Sequence, residues 1–229
     1  MNIKSCFLFC CLFFFVSSYV VFAQNGQDDF ALLTQVGIQK KWKHNWSTDL
    51  AFRAFWNENV TEFNRGFVNA GIGYDINKRW SAGANFRFYE VKNLANFYEE
   101  RFRLFIDLAY EQPIANRWSL SWRGRVQRQS YGGLSDDGYQ PAKYLLRNKF
   151  ALSYQHNWYW SFYASGEPFV SLKSPQKNNL VSNFRTEAGL KYRPTLHHSI
   201  NVFFQSRYPT QLFSDTRYWI AGIGYMFKI

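Results

Sequence analysis

Eleven segments of the chain alternate apolar and polar residues over about ten positions each, the period of a strand with one oily and one polar face. The clearest covers 99–111. Phe102, Leu104, Ile106, Leu108 and Tyr110 share one face, and Arg101, Arg103, Asp107 and Ala109 occupy most of the other. The same pattern predicts strands over 30–42, 46–56, 65–76, 80–89, 118–129, 143–156, 158–171, 180–193, 198–208 and 216–229. A soluble sandwich would bury the apolar faces against a second sheet, and a lipocalin would turn them inward around a ligand. A membrane barrel turns them outward to lipid.

The connections between these segments alternate in length. Those at 43–45, 77–79, 113–116, 156–157 and 194–197 are short, and those around 57–64, 90–98, 130–142, 172–179 and 209–215 are longer. In bacterial barrels short turns face the periplasm and long loops face outward, so the last strand runs downward with Tyr225, Phe227 and Ile229 on its apolar face. That ending is similar to the C-terminal insertion signal of outer-membrane proteins, except that it closes on Ile229 where an aromatic residue is usual. Trp42, Trp46, Trp80, Trp118, Trp158 and Trp160 all flank short turns, which predicts one interfacial ring at one end of the barrel.

A leader precedes the first strand. Lys4, an apolar run over 6–15 and Val21-Phe22-Ala23 ahead of Gln24 have the parts of a signal peptide, with cleavage expected after Ala23. A lipoprotein leader would acylate Cys10 or Cys11, but the apolar run continues past both and Phe9 is too large for the usual small residue. Residues 1–23 are therefore read as a cleavable signal peptide and 24–229 as one barrel domain. All three cysteines, Cys6, Cys10 and Cys11, fall in the leader, which excludes disulfides, thiolate metal sites and a cysteine nucleophile from the mature chain. Aromatic residues make up 21% of the chain. The mean hydropathy is −0.37. A chain this polar spans a bilayer only if its apolar residues alternate, because every backbone group must be paired there.

The expected fold is all-β, a transmembrane antiparallel up-and-down β-barrel of 10 to 12 strands in the outer membrane of a Gram-negative bacterium. Single-chain bacterial barrels have even strand numbers. Twelve is thus favoured over the eleven counted, with 24–29 supplying a short extra crossing or one segment misassigned.

Lys41-Trp42 before Asn45-Trp46-Ser47, the pairs Arg101/Arg103 and Arg123/Arg125, Leu146-Arg147-Asn148-Lys149 opening a strand, and a Tyr-rich strand leading to Glu167-Pro168-Phe169 together resemble the bacterial family called domain of unknown function 2490. The resemblance covers nearly the whole mature chain and implies an outer-membrane barrel; the family brings no established activity with it.

Alternation places Arg53, Arg65, Arg87, Arg101, Arg103, Arg123, Arg125, Arg147, Lys149, Arg185 and Arg207 inside, from mid-height to the outer mouth. Glu99, Glu167 and Glu187 are the inward acids near them, while Asp49, Asp75, Asp107 and Glu111 sit lower, so a basic vestibule over a more acidic floor is expected. Guanidinium groups stay charged and offer paired donors to carboxylate or phosphate, and charged rings set selectivity in pores. The plainer reading pairs these arginines with Glu99, Glu167, Glu187 and inward Asn69, Asn85, Gln127, Tyr163 and Gln205, filling a narrow barrel that conducts little.

Twenty-seven Lys and Arg against 16 Asp and Glu give a net charge of +11, of which the leader removes one. Nucleic acid is disfavoured as a partner, because the chain is exported and its basic residues interleave with a lipid face. His44, His156, His197 and His198 fall in or beside the short turns, away from the outer mouth, and the His197-His198 pair is poor evidence for a metal because adjacent strand residues point to opposite faces. No catalytic residue, metal site or cofactor is assigned. Glu167 and Glu187, surrounded by Arg147 and Arg185, suit ion pairing better than acid–base work. The reading is a monomeric barrel for small anionic solutes, partnered by outer-membrane lipid and the barrel-insertion machinery. A non-conducting structural or interaction barrel comes second and an outer-membrane enzyme a distant third.

Overall fold

A computed structural model describes residues 28–92, 98–131, 142–172, 181–209 and 216–229. The leader at 1–23 and most of the long connections lie outside the described residues. Period-two alternation produces the strands it predicts: β1 (Asp28–Lys41), β2 (Trp46–Asn57), β3 (Glu62–Asp75), β4 (Trp80–Lys92), β5 (Tyr98–Ala115), β6 (Trp118–Tyr131), β7 (Lys143–Gln155), β8 (Trp160–Ser171), β9 (Val181–Tyr192), β10 (His198–Pro209) and β11 (Arg217–Lys228). They form one closed barrel in which every strand pairs with its neighbours in sequence.

Closure happens at eleven strands, not twelve. β1 pairs with β11 from Asp28↔Arg217 to Gln39↔Lys228, leaving no edge for a further crossing. This seam is parallel while the other neighbouring pairs are antiparallel, because in an odd-numbered up-and-down ring the first and last strands point the same way. Asp28 therefore starts at the end of the barrel that carries the long connections, here the loop end, and Ile229 finishes at the opposite, turn end. There Lys41 N donates to Ile229 O at 3.1 Å and Ile229 N donates to Gln39 O at 2.8 Å, tying the two ends of the seam together.

Short turns are capped by side chains. Asn77 Oδ1 accepts from the backbone N–H of Arg79 and Trp80 at 2.8 and 2.9 Å, and Asn157 Oδ1 does the same for Tyr159 and Trp160 at 2.9 and 2.8 Å. Such Asx turns set where the next strand begins, which is why β8 starts at Trp160 and not at Trp158. The expected long connection at 57–64 shrinks to a turn at 58–61, since β3 begins at Glu62. Its Glu58, Asn59 and Val60 have φ of 52, 56 and 70°, and the Asp29 carboxylate accepts from the N–H of Glu58 and Asn59 at 3.1 and 2.9 Å. β5 runs on through Pro113 to Ala115, with a register shift at that point.

Outward positions are apolar and uncovered. Val36, Phe52, Leu104, Ile106, Val126 and Phe150 are all exposed, Ile106 by 67%. At the turn end the first residues of four successive rising strands pair with tyrosines. Trp46–Tyr74, Trp80–Tyr110, Trp118–Tyr154 and Trp160–Tyr192 have ring centroids 4.8, 4.8, 4.9 and 4.4 Å apart and face each other directly in the register. The fifth rising strand, β10, has His198 in that place, hydrogen-bonded through Nδ1 to Tyr225 OH at 2.7 Å. His197 lies in the preceding turn, where strand alternation does not apply. Its ring and that of His198 both pack beside Phe227, so the expectation of opposite faces does not hold.

Candidate functional site

The interior holds two stacked cavities. One, of about 480 Å³ near the loop end, is lined by Arg53, Arg65, Arg87, Arg103, Arg123, Arg125, Arg147, Lys149, Arg185 and Arg207 among others. Arg101 lies on the same face of β5, nearer the rim, and is paired with Glu99 at 3.0 Å. The second, of about 870 Å³, opens at the turn end. Gln35, Arg123, Lys149, Glu187, Asn201 and Phe203 line both and form the waist between them.

Register brings like charges face to face. Arg87 is directly opposite Arg103, Arg125 opposite Arg147, Arg123 opposite Lys149, and Arg185 opposite Arg207. Directly opposed like charges destabilise a sheet, and two devices offset them. The first is Glu167, only 2% exposed. Its carboxylate accepts from Arg147 Nε at 3.2 Å and Nη2 at 2.8 Å, accepts from Arg123 Nη2 at 3.0 Å, and lies 3.6 Å from Arg185 Nη1. The next residue, Pro168, has no N–H to give, and the β7–β8 ladder is interrupted between Arg147↔Phe169 and Phe150↔Gly166. Asp107 takes a two-point contact from Arg125, with Nε at 2.5 Å and Nη2 at 2.6 Å, and Lys149 Nζ sits 3.2 Å from Glu187.

Aromatic rings are the second device. Cζ of Arg125 lies 3.9 Å from the Phe105 ring centroid, and that of Arg87 lies 5.1 and 5.6 Å from Phe67 and Phe105. Arg147 and Arg185 share Phe169 at 4.3 and 5.0 Å, while Arg65, Arg103 and Arg207 lie over Phe55, Tyr89 and Tyr218 at 4.6, 5.0 and 5.9 Å. Cation–π contacts of this kind are worth ~0.5–2 kcal/mol each. Reasoning from alternation alone treats apolar residues as outward and so misses these rings. Their signal is parity: Phe55, Phe67, Tyr89 and Phe105 each stand two residues after Arg53, Arg65, Arg87 and Arg103.

The two devices do not serve every cation alike. Among the described residues Arg53, Arg65, Arg87, Arg103 and Arg207 have no carboxylate within 4.0 Å. Arg87 donates to Asn69 at 3.2 Å, and Arg103 donates to Tyr89 OH at 2.9 Å and Gln129 at 2.6 Å. The buried Nε atoms of Arg53, Arg65 and Arg207 have no hydrogen-bond partner among the described residues.

The floor departs from expectation. Arg117, Lys191, Arg193 and Lys228 line the turn-end cavity, against Glu111 and the already paired Glu187, so it is basic and not acidic. Asp107 is drawn up into the arginine cluster, and Asp75 is an exposed residue 4.0 Å from Lys41. Two of the missed cations continue a row already assigned inward, with Lys191 on β9 and Arg193 just past its end following Arg185 and Glu187. Among the described residues no three His, Cys, Asp or Glu side chains are placed to hold a metal ion.

The family model described as "Protein of unknown function (DUF2490)" matches residues 30–226, and the chain belongs to that family. Among curated proteins, none matches the sequence. Of solved structures, the barrel is similar to the NanC porin at 10% identity and a TM-score of 0.49, covering 78% of this chain and 86% of that one. It is similar to the β-domain of the Bordetella autotransporter BrkA at 9% identity and a TM-score of 0.43, covering 79% of each. A third likeness is to an anion-selective porin from Comamonas acidovorans, at 9% identity and a TM-score of 0.36, covering 80% of this chain and 53% of that one.

Proposed function

We propose that this DUF2490 barrel sits in a bacterial outer membrane and is a narrow channel or binding barrel for small anionic solutes, without enzymatic activity. One observation carries the solute class: Arg53, Arg65, Arg87, Arg103 and Arg207 line a cavity and have no carboxylate within 4.0 Å among the described residues. A carboxylate or phosphate entering the cavity supplies the acceptor their guanidinium forks lack. The membrane setting is supported by the uncovered apolar outer face and the Trp–Tyr ring at the turn end, which suits a headgroup interface. Insertion machinery is then the expected assembly partner and lipid the surrounding solvent. A closed structural barrel is the second reading, favoured by the Glu167 cluster and the inward rings, which narrow the interior.

The test is the reversal potential of the refolded protein in a planar bilayer under a salt gradient. Anion selectivity that falls in Arg87→Ala plus Arg103→Ala is expected. A protein that neither conducts nor binds phosphate is a structural barrel.

A further inference from the structure

We propose that the turn-end cavity is a second anion site, chemically distinct from the arginine site above it, taking small hydrated anions of the phosphate class through Lys191, Arg193 and Lys228. Its cavity is the larger of the two, about 870 Å³. None of these three cations has a carboxylate within 4.0 Å among the described residues. Arg193 Nη2 donates to the amide oxygen of Gln155 at 3.4 Å, and its buried Nε has no partner among the described residues.

The backbone that carries these residues is held firmly. Lys228 N donates to His197 O at 2.7 Å, and Lys228 O is 2.8 Å from His197 Nδ1. Arg193 N donates to Tyr159 O at 2.8 Å. Lys191 faces Asn201 and Ser161 in the register. The cations are thus fixed at the root, and none of their tips meets a carboxylate among the described residues.

Chemistry separates the two cavities. In the loop-end cavity, planar guanidinium groups lie over aromatic rings, an arrangement that orients donors rigidly and strips water from a ligand. At the turn end the cations include two lysines, compact and strongly hydrated charges with rotatable donors, set among the hydroxyls and amides of Ser119, Ser153, Ser199 and Gln39. Such a lining holds an anion with its water still attached. The waist between them carries the Lys149–Glu187 pair, and Asn201 Nδ2 donates to Tyr163 OH at 3.1 Å. A smaller site of ring-backed guanidinium groups in series with a larger one that includes ammonium groups meets the requirement for conduction, that an ion bind well enough to enter and weakly enough to leave.

The second site needs the barrel but not the first site, and titration of inorganic phosphate into the refolded protein in detergent micelles separates the two. Starting from Arg87→Ala plus Arg103→Ala, phosphate binding should persist; adding Lys191→Gln and Lys228→Gln should weaken it on the order of ten-fold or more, the scale of ~1.4 kcal/mol per decade. Lys191→Arg with Lys228→Arg in the same background should retain it, and heat-modifiable gel migration identifies the folded barrel in every variant. Loss of all phosphate binding in Arg87→Ala plus Arg103→Ala alone overturns the second site while leaving the first intact. Phosphate binding of unchanged affinity after both lysine substitutions overturns it as well.

Discussion

The two halves of the inner wall near the loop end are both rich in arginine and differ in how those arginines are neutralised. On the half built by β5 to β9, Arg123, Arg125, Arg147, Lys149 and Arg185 all meet Asp107, Glu167 or Glu187 within 4.0 Å. On the half that runs from β10 through the β11–β1 seam to β4, Arg53, Arg65, Arg87 and Arg207 meet none among the described residues. Asp49 is the one carboxylate this half is described as contributing to that cavity. One half therefore carries an ion-pair network, in which Arg103 on β5 is the cation without a carboxylate among the described residues. The other is a cationic surface with rings over Arg65, Arg87 and Arg207 and an amide at Arg87. The same residue type serves as structure on one side of the barrel and as a binding surface on the other, and what divides them is the placement of three acids.

The largest expected effect falls on the paired half. Glu167→Gln removes the shared acceptor of Arg123, Arg147 and Arg185, and breaking a buried charge network of this sort costs ~3–5 kcal/mol. Urea unfolding of the barrel in lipid vesicles should show that loss; a variant as stable as the parent would abolish the distinction between the halves. Next in size is Phe105→Leu, which takes the ring from beneath Arg125 and Arg87 and should cost ~1–2 kcal/mol in the same measurement. The smallest effect is expected from Arg207→Gln on the unpaired half. Removing a buried charge that has no carboxylate and directly opposes Arg185 should leave stability within ~0.5 kcal/mol or raise it. A drop comparable to that of Glu167→Gln would show Arg207 to be part of a network after all.

Much of this fold is legible locally. A strand's alternation is written in neighbouring residues, so segments such as 99–111 and the inward rows of arginines follow from parity without any tertiary information. Parity also held the inward Phe105, but a rule that sends apolar residues to lipid overrides it. The Asx turns at Asn77 and Asn157 are local too, and they start β4 and β8 at Trp80 and Trp160, two of the tryptophans that flank short turns.

By itself the sequence determined the strands, their two faces and the excess of positive charge inside, because each depends on a period of two or on composition. Tertiary structure alone decided the rest. Ring closure at eleven strands depends on whether Asp28 meets Arg217, a contact between the two ends of the chain that no local pattern encodes. Which arginines are neutralised depends on cross-strand register, set by turns and carried around the barrel, so that Glu167 reaches Arg123 from two strands away. A basic floor arises for the same reason, since Lys191 and Lys228 stand two strands apart and come to one end of the barrel through the β9–β10–β11 register.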